Sequence, residues 1–221
     1  MLQKRMSAPT VDMRLYEREV YRRGFRLISG IDEAGRGPLA GPVVAAAVVL
    51  PKRVLLPGVT DSKCLTSAQR EEFDGKIRSC AAAVGIGVVD NLEIDRVNIL
   101  QATFRAMVAA VEQLGIQPDF LLIDGPYKLP LAIEQKGIPQ GDSLSLSIAS
   151  ASIIAKVYRD RIMCEYHEQF PQYGFDSHKG YGTAQHCEAL RKHGPCPLHR
   201  MTFRGVVSGS ECAIDDEEPL R

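Results

Sequence analysis

The order of its short apolar segments limits the folds that this chain can adopt. Segments 25–32, 43–50 and 82–89 have the length and composition of strands. The second half of the chain then alternates between helical and strand-like patterns. We predict further strands at 119–123 and 131–135, and helices at 11–23, 66–77, 93–114, 143–167 and 183–193. This order predicts an α/β fold in which helices pack against one mixed sheet.

Two adjacent acids, Asp32 and Glu33, stand where the first predicted strand ends. Gly35, Arg36 and Gly37 follow as a glycine turn around a single arginine. Neighbouring side chains of a strand point to opposite faces, so both acids can serve one site only if the backbone turns there. Acids beside such a loop suggest a divalent metal next to a phosphate-bearing ligand. A polar turn that closes a hairpin explains this stretch equally well when it is taken alone.

Two further acids stand at the ends of predicted elements. Asp124 follows an apolar run and precedes a Gly-Pro turn, and Asp142 stands at the start of a long helical pattern. With Asp32 and Glu33 they form a candidate cluster of four carboxylates, which would repel one another unless cations neutralise them. Oxygen ligands without His or Cys favour Mg²⁺ or Mn²⁺ over Zn²⁺.

Several separated motifs resemble the bacterial ribonuclease HII family, the type 2 ribonucleases H, from about residue 27 to about residue 203. In chain order the matching motifs are 30–43, 61–63 (Asp-Ser-Lys), 123–125 (Ile-Asp-Gly), 141–142 (Gly-Asp), 147–157 with Arg159-Asp160, and 178–183 (His-Lys-Gly-Tyr-Gly-Thr). The chain departs from the family pattern at Gln140, where lysine is common, and at Ser150, where alanine is usual. Neither position is an acid or part of the Gly-Arg-Gly turn.

The resemblance implies a ribonuclease H-like mixed sheet flanked by helices, with a helical C-terminal part. It implies an endonuclease that cuts the RNA strand of RNA–DNA hybrids and cuts 5′ to single ribonucleotides in duplex DNA, leaving 5′-phosphate and 3′-hydroxyl ends. Its partners would be these two kinds of duplex. Gly35, Arg36 and Gly37 would then approach the ribose 2′-hydroxyl, and Tyr181 would stack against a sugar of the substrate. Lys63 would be a structural or phosphate-facing cation.

Phosphodiester cleavage needs an activated water and neutralised charge on the phosphate. Two divalent ions held about 3.5–4 Å apart by carboxylates supply both. We expect Asp32 to bridge the two ions, with Asp124 and Asp142 on either side. Whether Glu33 binds through its side chain or its backbone carbonyl stays open.

The net charge of zero hides an uneven distribution of charges. Between residues 178 and 204 the basic residues are Lys179, Arg191, Lys192, Arg200 and Arg204, against Glu188 as the one acid. A basic region of this kind suits the phosphates of a duplex, although it could also be an ordinary solvated helix face. Histidines and cysteines also gather here, but they lack a paired Cys-x-x-Cys, which disfavours a structural zinc.

Composition and the ends of the sequence complete the expectations. Six scattered cysteines argue for reduced thiols, and no apolar run is long enough to span a membrane. The first residues are rich in Arg, Lys and Glu rather than apolar, so we expect a cytoplasmic enzyme. We also expect a monomer. We predict an N-terminal helical extension (1–24), a catalytic domain (25–207) and an acidic, disordered tail (208–221).

Two other classes of function compete with this interpretation. A structure-specific DNA nuclease or a transposase of the same fold would use the same acids without reading ribose. A non-catalytic protein that binds hybrids would have lost the metal chemistry. The intact acids weigh against the second class, and the Gly-Arg-Gly turn with Tyr181 weighs against the first.

Overall fold

A five-stranded mixed sheet forms the centre of the computed structural model, which describes residues 12–207. The strands are β1 (Ile28–Ala34), β2 (Val43–Val49), β3 (Ala83–Val89), β4 (Phe120–Asp124) and β5 (Glu134–Ile138). Their order across the sheet is β3-β2-β1-β4-β5. Strand β1 is central, with an antiparallel neighbour (β2) on one side and a parallel neighbour (β4) on the other. The predicted α/β fold is confirmed.

Seven α-helices surround the sheet in the described part of the chain. They are α1 (Leu15–Arg22), α2 (Ser67–Cys80), α3 (Asn91–Val97), α4 (Ile99–Glu112), α5 (Leu146–Gln169), α6 (Phe175–His178) and α7 (Ala184–His193). Three short 3₁₀ turns cover Ser62–Cys64, Gly141–Ser143 and Pro171–Tyr173. Helices α2 and α7 begin after the threonine caps Thr66 and Thr183, each of which accepts a backbone N–H with its hydroxyl.

Three predicted segments differ clearly from the structure. Strand β1 starts three residues later than predicted and continues past both acids, because β2 pairs with it as far as Ala34. The predicted helix 93–114 is broken at Asn98, whose φ of 72° is left-handed and whose side chain caps α4. The last strand forms at Glu134–Ile138 rather than at 131–135, in register with β4.

Both faces of the sheet are buried under helices. Helix α4 packs on one face against Ile31, Leu121, Ala45 and Ala47, and α5 packs on the other face, where Ala46 lies. Close approach requires glycine at Gly30, because a Cβ there would lie 2.1 Å from the backbone carbon of Ser147 in α5. Among the described helices, none combines the length and the apolar character needed to cross a membrane.

Helix α1 packs against the beginning of α5. The buried carboxylate of Glu17 accepts hydrogen bonds from the Ser145 hydroxyl (2.7 Å) and the Ser147 backbone N–H (2.9 Å). The backbone N–H of Leu146 donates to the carbonyl of Met13 at 2.6 Å. These contacts place α1 next to the 3₁₀ turn that carries Asp142. Residues 1–11 and the predicted acidic tail (208–221) lie outside the described residues.

Candidate active site

Asp32 and Asp124 lie side by side at one edge of the sheet. The parallel strands β1 and β4 pair Ile31 with Ile123, and each aspartate is the next residue of its strand. Side chains at equivalent positions of paired strands point to the same face, so both carboxylates lie on the face that α5 covers. Asp32 is buried with 4% exposure, whereas Asp124 is partly exposed.

Glu33 occupies a regular strand position, so the predicted turn at the two acids is wrong. The backbone first turns at Gly35, which has a φ of 93°. Glu33 accepts a hydrogen bond from Nη1 of Arg36 at 3.1 Å, and its own backbone N–H donates to Oδ1 of Asp32 at 2.7 Å. Its carboxylate still lies close enough to Asp32 and Asp124 to interact with both electrostatically.

Asp142 is held beside Asp124 by the backbone of its own 3₁₀ turn. The N–H of Gly141 donates to Oδ1 of Asp124 at 2.6 Å. The turn is separate from helix α5, which begins only after the cap residue Ser145. The structure therefore brings together all four acids that the sequence predicts.

Burial and mutual repulsion disfavour the ionised form of three of these acids. Burial above all, followed by the carboxylates of Glu33 and Asp124, raises the pKa of Asp32 well above its usual range. Burial also raises the pKa of Glu33, although Arg36 opposes this shift. Burial and then Asp61 and Asp124 raise the pKa of Asp142 to about 6. Clustered anions of this kind favour bound cations.

Asp61 is a fifth acid, which the cluster of four predicted from the sequence does not include. Its carboxylate lies within hydrogen-bonding reach of Asp142. It also accepts the backbone N–H of Lys63 at 2.9 Å, which fixes the loop that carries it. The signal was present in the Asp-Ser-Lys motif, but no periodicity in the sequence places this loop next to residue 142.

A chain of hydroxyl groups links the same loop to Asp32. Ser62 and Ser152 are both buried, and their hydroxyl oxygens are 2.9 Å apart. A hydrogen bond from Ser152 to Asp32 stabilises the ionised carboxylate and lowers its pKa, against the larger effect of burial. Ser152 is one of the buried residues of α5.

The candidate ligands are chemically suited to a hard divalent cation. Every candidate ligand is a carboxylate oxygen, and the buried Asp32 needs a compensating positive charge. Within residues 12–207, no three His, Cys, Asp or Glu side chains already converge on one point as a completed metal site. By their chemistry and burial, Asp32, Asp124 and Asp142 are the residues that would hold a cation.

Two buried arginines hold the loop that follows Glu33. Arg200 donates to the carbonyls of Gly35 (2.6 Å), Arg36 (2.9 Å) and Gly41 (3.0 Å). Burial, and then the neighbouring Arg159, lowers the pKa of Arg200 to about 9, so the guanidinium stays charged at neutral pH. The prediction that Arg200 belongs to a phosphate-facing surface is wrong, because this side chain is fully buried.

Arg159 holds the far side of the same loop. It donates to the carbonyls of Pro42 (2.9 Å), Ala40 (3.1 Å) and Lys179 (3.0 Å). A Cβ at Gly35 would lie 2.0 Å from its Nε atom, so both the space and the positive φ at this position require glycine. Arg159 thereby connects the glycine loop to the segment that precedes Tyr181.

Tyr181 is half-buried and lies close enough to Arg159 and Arg200 to interact with both electrostatically. Its backbone carbonyl accepts from Nδ1 of His186 at 2.8 Å. The Nε2 atoms of His186 and His199 are 3.0 Å apart, and the Cys196 N–H donates to Nδ1 of His199 at 2.9 Å. These partners place the shared proton on Nε2 of His199 and leave both rings neutral.

The remaining predicted residues differ in their exposure to solvent. Lys63 is exposed on the loop beside Asp61. Arg191, Lys192 and Arg204 are exposed, and Lys179 is half-buried. The histidines weighed as zinc ligands, His186 and His199, direct ring nitrogens at each other and at backbone groups. The five cysteines in the described part of the chain are free thiols.

A mixed sheet of this strand order, with acids at neighbouring strand ends, is the arrangement of the ribonuclease H class of proteins. Residues 29–206 match the family model described as Ribonuclease HII. A ribonuclease HII from Syntrophobacter fumaroxidans is 64% identical over 203 residues, which are 92% of this chain and 87% of that protein. The chain belongs to the ribonuclease HII family.

Solved structures agree with this assignment. The ribonuclease H2 of Pyrococcus horikoshii superimposes with a TM-score of 0.70 and 27% identity, over 81% of this chain and 95% of that one. The Bst ribonuclease HIII, crystallised with Mn²⁺, has the same fold, with a TM-score of 0.64 and 21% identity over 92% of this chain and 74% of that one.

Proposed function

We propose that this ribonuclease H cuts the RNA strand of RNA–DNA hybrids and cuts 5′ to single ribonucleotides in duplex DNA. The products would carry 5′-phosphate and 3′-hydroxyl ends. We further propose that it acts in the cytoplasm as a monomer and depends on two Mg²⁺ or Mn²⁺ ions. Residues 25–207 would form the catalytic domain, with 1–24 as a helical extension.

The orientation of the peptide groups in the glycine loop, residues 35–37, is the main support for the proposal. No described peptide bond is cis, so the carbonyl and the N–H of each peptide unit point in opposite directions. The carbonyls of Gly35 and Arg36 point inward to Arg200, which turns the N–H groups of Arg36 and Gly37 away from it. Two outward N–H groups beside the acid cluster suit a ribose 2′-hydroxyl, the group that distinguishes RNA from DNA.

The residues divide the work of phosphodiester hydrolysis. When bound, the two cations supply water activation and neutralise charge on the scissile phosphate. Asp32, Asp124 and Asp142 would hold them, while Ser152 orients Asp32. Glu33 would contribute its carboxylate or its carbonyl. The glycine loop and Tyr181 would position the sugar of the ribonucleotide, which fixes the phosphate against the acids.

Cleavage of three matched duplexes tests the proposal. The substrates are a DNA duplex with one ribonucleotide, the same duplex without it, and an RNA–DNA hybrid, each with Mg²⁺, Mn²⁺ or chelator. We expect metal-dependent cleavage of the first and third only, with the cut 5′ to the ribonucleotide. The isosteric Asp124→Asn should abolish cleavage and retain duplex binding. Equal cleavage of all-DNA duplex would indicate a structure-specific nuclease, and binding without cleavage would indicate a hybrid-binding protein.

Tyr181 variants test the positioning role separately. Aromatic stacking contributes about 1–3 kcal/mol per base, and a small misplacement of the phosphate costs about a hundredfold in rate. Tyr181→Ala should therefore lose most cleavage at a single ribonucleotide while metal binding, measured by calorimetry, stays near wild type. Tyr181→Phe should retain much of the activity. If Phe were as damaging as Ala, the hydroxyl rather than the ring would be the functional group.

A further inference from the structure

A basic cleft of about 500 Å³ opens beside helix α1, away from the acids. We call it the α1 cleft. Its lining residues come from α1 and its flanks and from the segment after β2: Arg14, Arg18, Tyr21, Arg22, Lys52 and Arg53. Five of these six side chains are cationic and none is acidic, although the whole chain has no net charge. The proposed catalytic residues do not contribute to this cleft.

The described acids near the α1 cleft compensate its charge only in part. Arg18 pairs with Asp12. Glu17, which points inward to α5, and Asp119 both lie close enough to Tyr21 to interact with it electrostatically. Glu19 pairs with Lys136 at 3.4 Å on another side of α1. The five cationic side chains of the cleft therefore outnumber the three described carboxylates near them.

The walls of the α1 cleft are held in place from within the protein. The guanidinium of Arg14 donates to the carbonyls of Lys52 and Val54, which ties α1 to the segment after β2. The ammonium of Lys52 lies 4.9 Å from the ring centroid of Tyr21. Arg18, Arg22 and Arg53 are exposed around this fixed frame. Arginine forks match phosphate oxygens in geometry as well as in charge.

The α1 cleft lies within reach of a duplex that is bound at the acids. Asp32 is paired with Ala46, about 5 Å away, and Lys52 is six residues further along the chain. At 3.3 Å per residue, Lys52 therefore lies at most about 25 Å from Asp32. Helix α1 also packs on Leu146, four residues from Asp142. Since each strand of a duplex carries a phosphate every 3.4 Å, at most about seven base pairs cover this distance.

We propose that the α1 cleft binds the phosphate backbone of the same duplex, within about seven base pairs to one side of the cut position. This inference rests on the proposed function and adds a second contact that is independent of ribose. An open cleft with several arginines suits a continuous polyanion better than a single small anion. The contact would act through phosphates, and would therefore read no base sequence.

The test compares the triple variant Arg22→Gln/Lys52→Gln/Arg53→Gln with a matched triple, Lys76→Gln/Arg96→Gln/Arg105→Gln. Lys76, Arg96 and Arg105 lie exposed on α2, α3 and α4, and each forms an ion pair with Glu72 or Glu93. Both triple variants therefore remove three positive charges. Hairpin-closed duplexes with one ribonucleotide extend either about 4 or about 12 base pairs to each side, roughly 14 and 40 Å at 3.4 Å per pair. Affinity is measured in Ca²⁺ across a salt series, and cleavage is measured in Mg²⁺.

We expect wild type and the matched triple to bind the long duplex more tightly than the short one, and the α1-cleft triple to lose most of this gain. For the α1-cleft triple on the long duplex, the slope of log affinity against log salt concentration should become less steep by about 2 to 3. Each phosphate that the protein no longer neutralises reduces this slope by about 0.9. Two further duplexes are each lengthened on one side only. The α1-cleft triple should bind one of them more weakly than wild type does, and should bind the other as wild type does.

Three results would overturn the inference. These are an unchanged salt slope, an equal loss in the matched triple, or saturable binding of inorganic phosphate at the α1 cleft without any dependence on duplex length. The proposed function fails in a different way, because wild type would then not cut at the ribonucleotide. The thermal midpoint of both triples verifies that they fold.

Discussion

At the residue scale, Asp61 adds negative charge to the cluster of acids beside Asp142. Asp61→Asn keeps the cap on the Ser62–Cys64 turn, since asparagine also accepts a backbone N–H, but removes one charge beside Asp142. In chelator the variant should therefore unfold at a higher temperature than wild type. The stabilisation by Mg²⁺ should become smaller, because the site has lost attraction for the cation.

Thermal unfolding with chelator and with a Mg²⁺ titration measures both changes. Glu72→Gln is the matched control, since it removes an exposed carboxylate on α2 that pairs with Lys76. A variant at Asp61 with the same response to Mg²⁺ as wild type would place this residue outside the cation site.

Arg200 is expected to act as a positioning residue rather than as a catalytic one. Arg200→Lys keeps the charge, but a single ammonium group cannot donate along the three directions that a guanidinium uses for Gly35, Arg36 and Gly41. We expect cleavage at a single ribonucleotide to fall by about a hundredfold. The Mg²⁺-induced shift in thermal midpoint should persist, because the acids are untouched. Wild-type cleavage by this variant would remove the loop from ribose recognition.

The sequence predicts the acids better than the residues that support them. Asp32, Asp124 and Asp142 each stand at the end of an apolar or helical segment, which is a local signal. Arg200 and Ser152 have no such signal, because their roles depend on contacts with residues more than a hundred positions away: Arg200 with Gly35, and Ser152 with Asp32. A basic residue in a basic segment is consequently interpreted as a surface charge.

At the element scale, β1 and α5 approach so closely that a methyl group has no room between them. Gly30→Ala would place a Cβ 2.1 Å from the backbone of Ser147, so the strand and the helix must separate. We expect the free energy of unfolding to fall by about 1–3 kcal/mol or more, as for other overpacked cores. Gly75→Ala is the control, because this position of α2 has no neighbouring atom within 4 Å. It should stabilise the protein by about 0.5–1 kcal/mol.

Chemical denaturation of the two variants measures both effects. If Gly30→Ala were as stable as wild type, β1 and α5 would have to lie further apart than described. The movement that accommodates the methyl group would also shift Asp32, which is two residues along β1, so cleavage should fall together with stability.

The segments themselves were predictable, whereas their ends were not. Apolar composition and periodicity predict four of the five strands and the longer helices, whereas the fifth strand is predicted three residues too early. The continuation of β1 through Glu33 depends on pairing with Ala45 of β2, which is a non-local contact. The break at Asn98 replaces one predicted helix by two, because a single residue with left-handed φ interrupts an otherwise continuous helical pattern.

At the scale of the whole molecule, the histidine pair makes stability depend on pH. Burial, and then His178, lowers the pKa of His186 to about 3. Burial also lowers the pKa of His199 to about 4, against the hydrogen bond with Cys196. Since the unfolded value is about 6.5, the unfolded chain binds more protons between these limits. This contribution to stability is complete above about pH 6.5 and is lost as the pH falls towards 4.

His199→Gln should make the pH dependence of the free energy of unfolding shallower by up to about 1.4 kcal/mol per pH unit between pH 6.5 and 4. His193→Gln, at an exposed position of α7, should leave the slope as in wild type. Denaturant titrations at several pH values, all in chelator, measure the difference between the two variants. A parallel dependence in all three proteins would mean that the buried rings accept protons without loss of structure.

The contact of Glu17 with Ser145 and Ser147 has a consequence for the order in which the chain folds. Helix α1 is synthesised 128 to 130 residues before the groups that it binds. Its eight residues are too few to stay helical alone in water. The contacts of Glu17 can therefore form only after the beginning of α5 has left the ribosome. The turn that carries Asp142 adjoins the same junction, so the cation site is expected to be among the last parts of a newly made molecule to form.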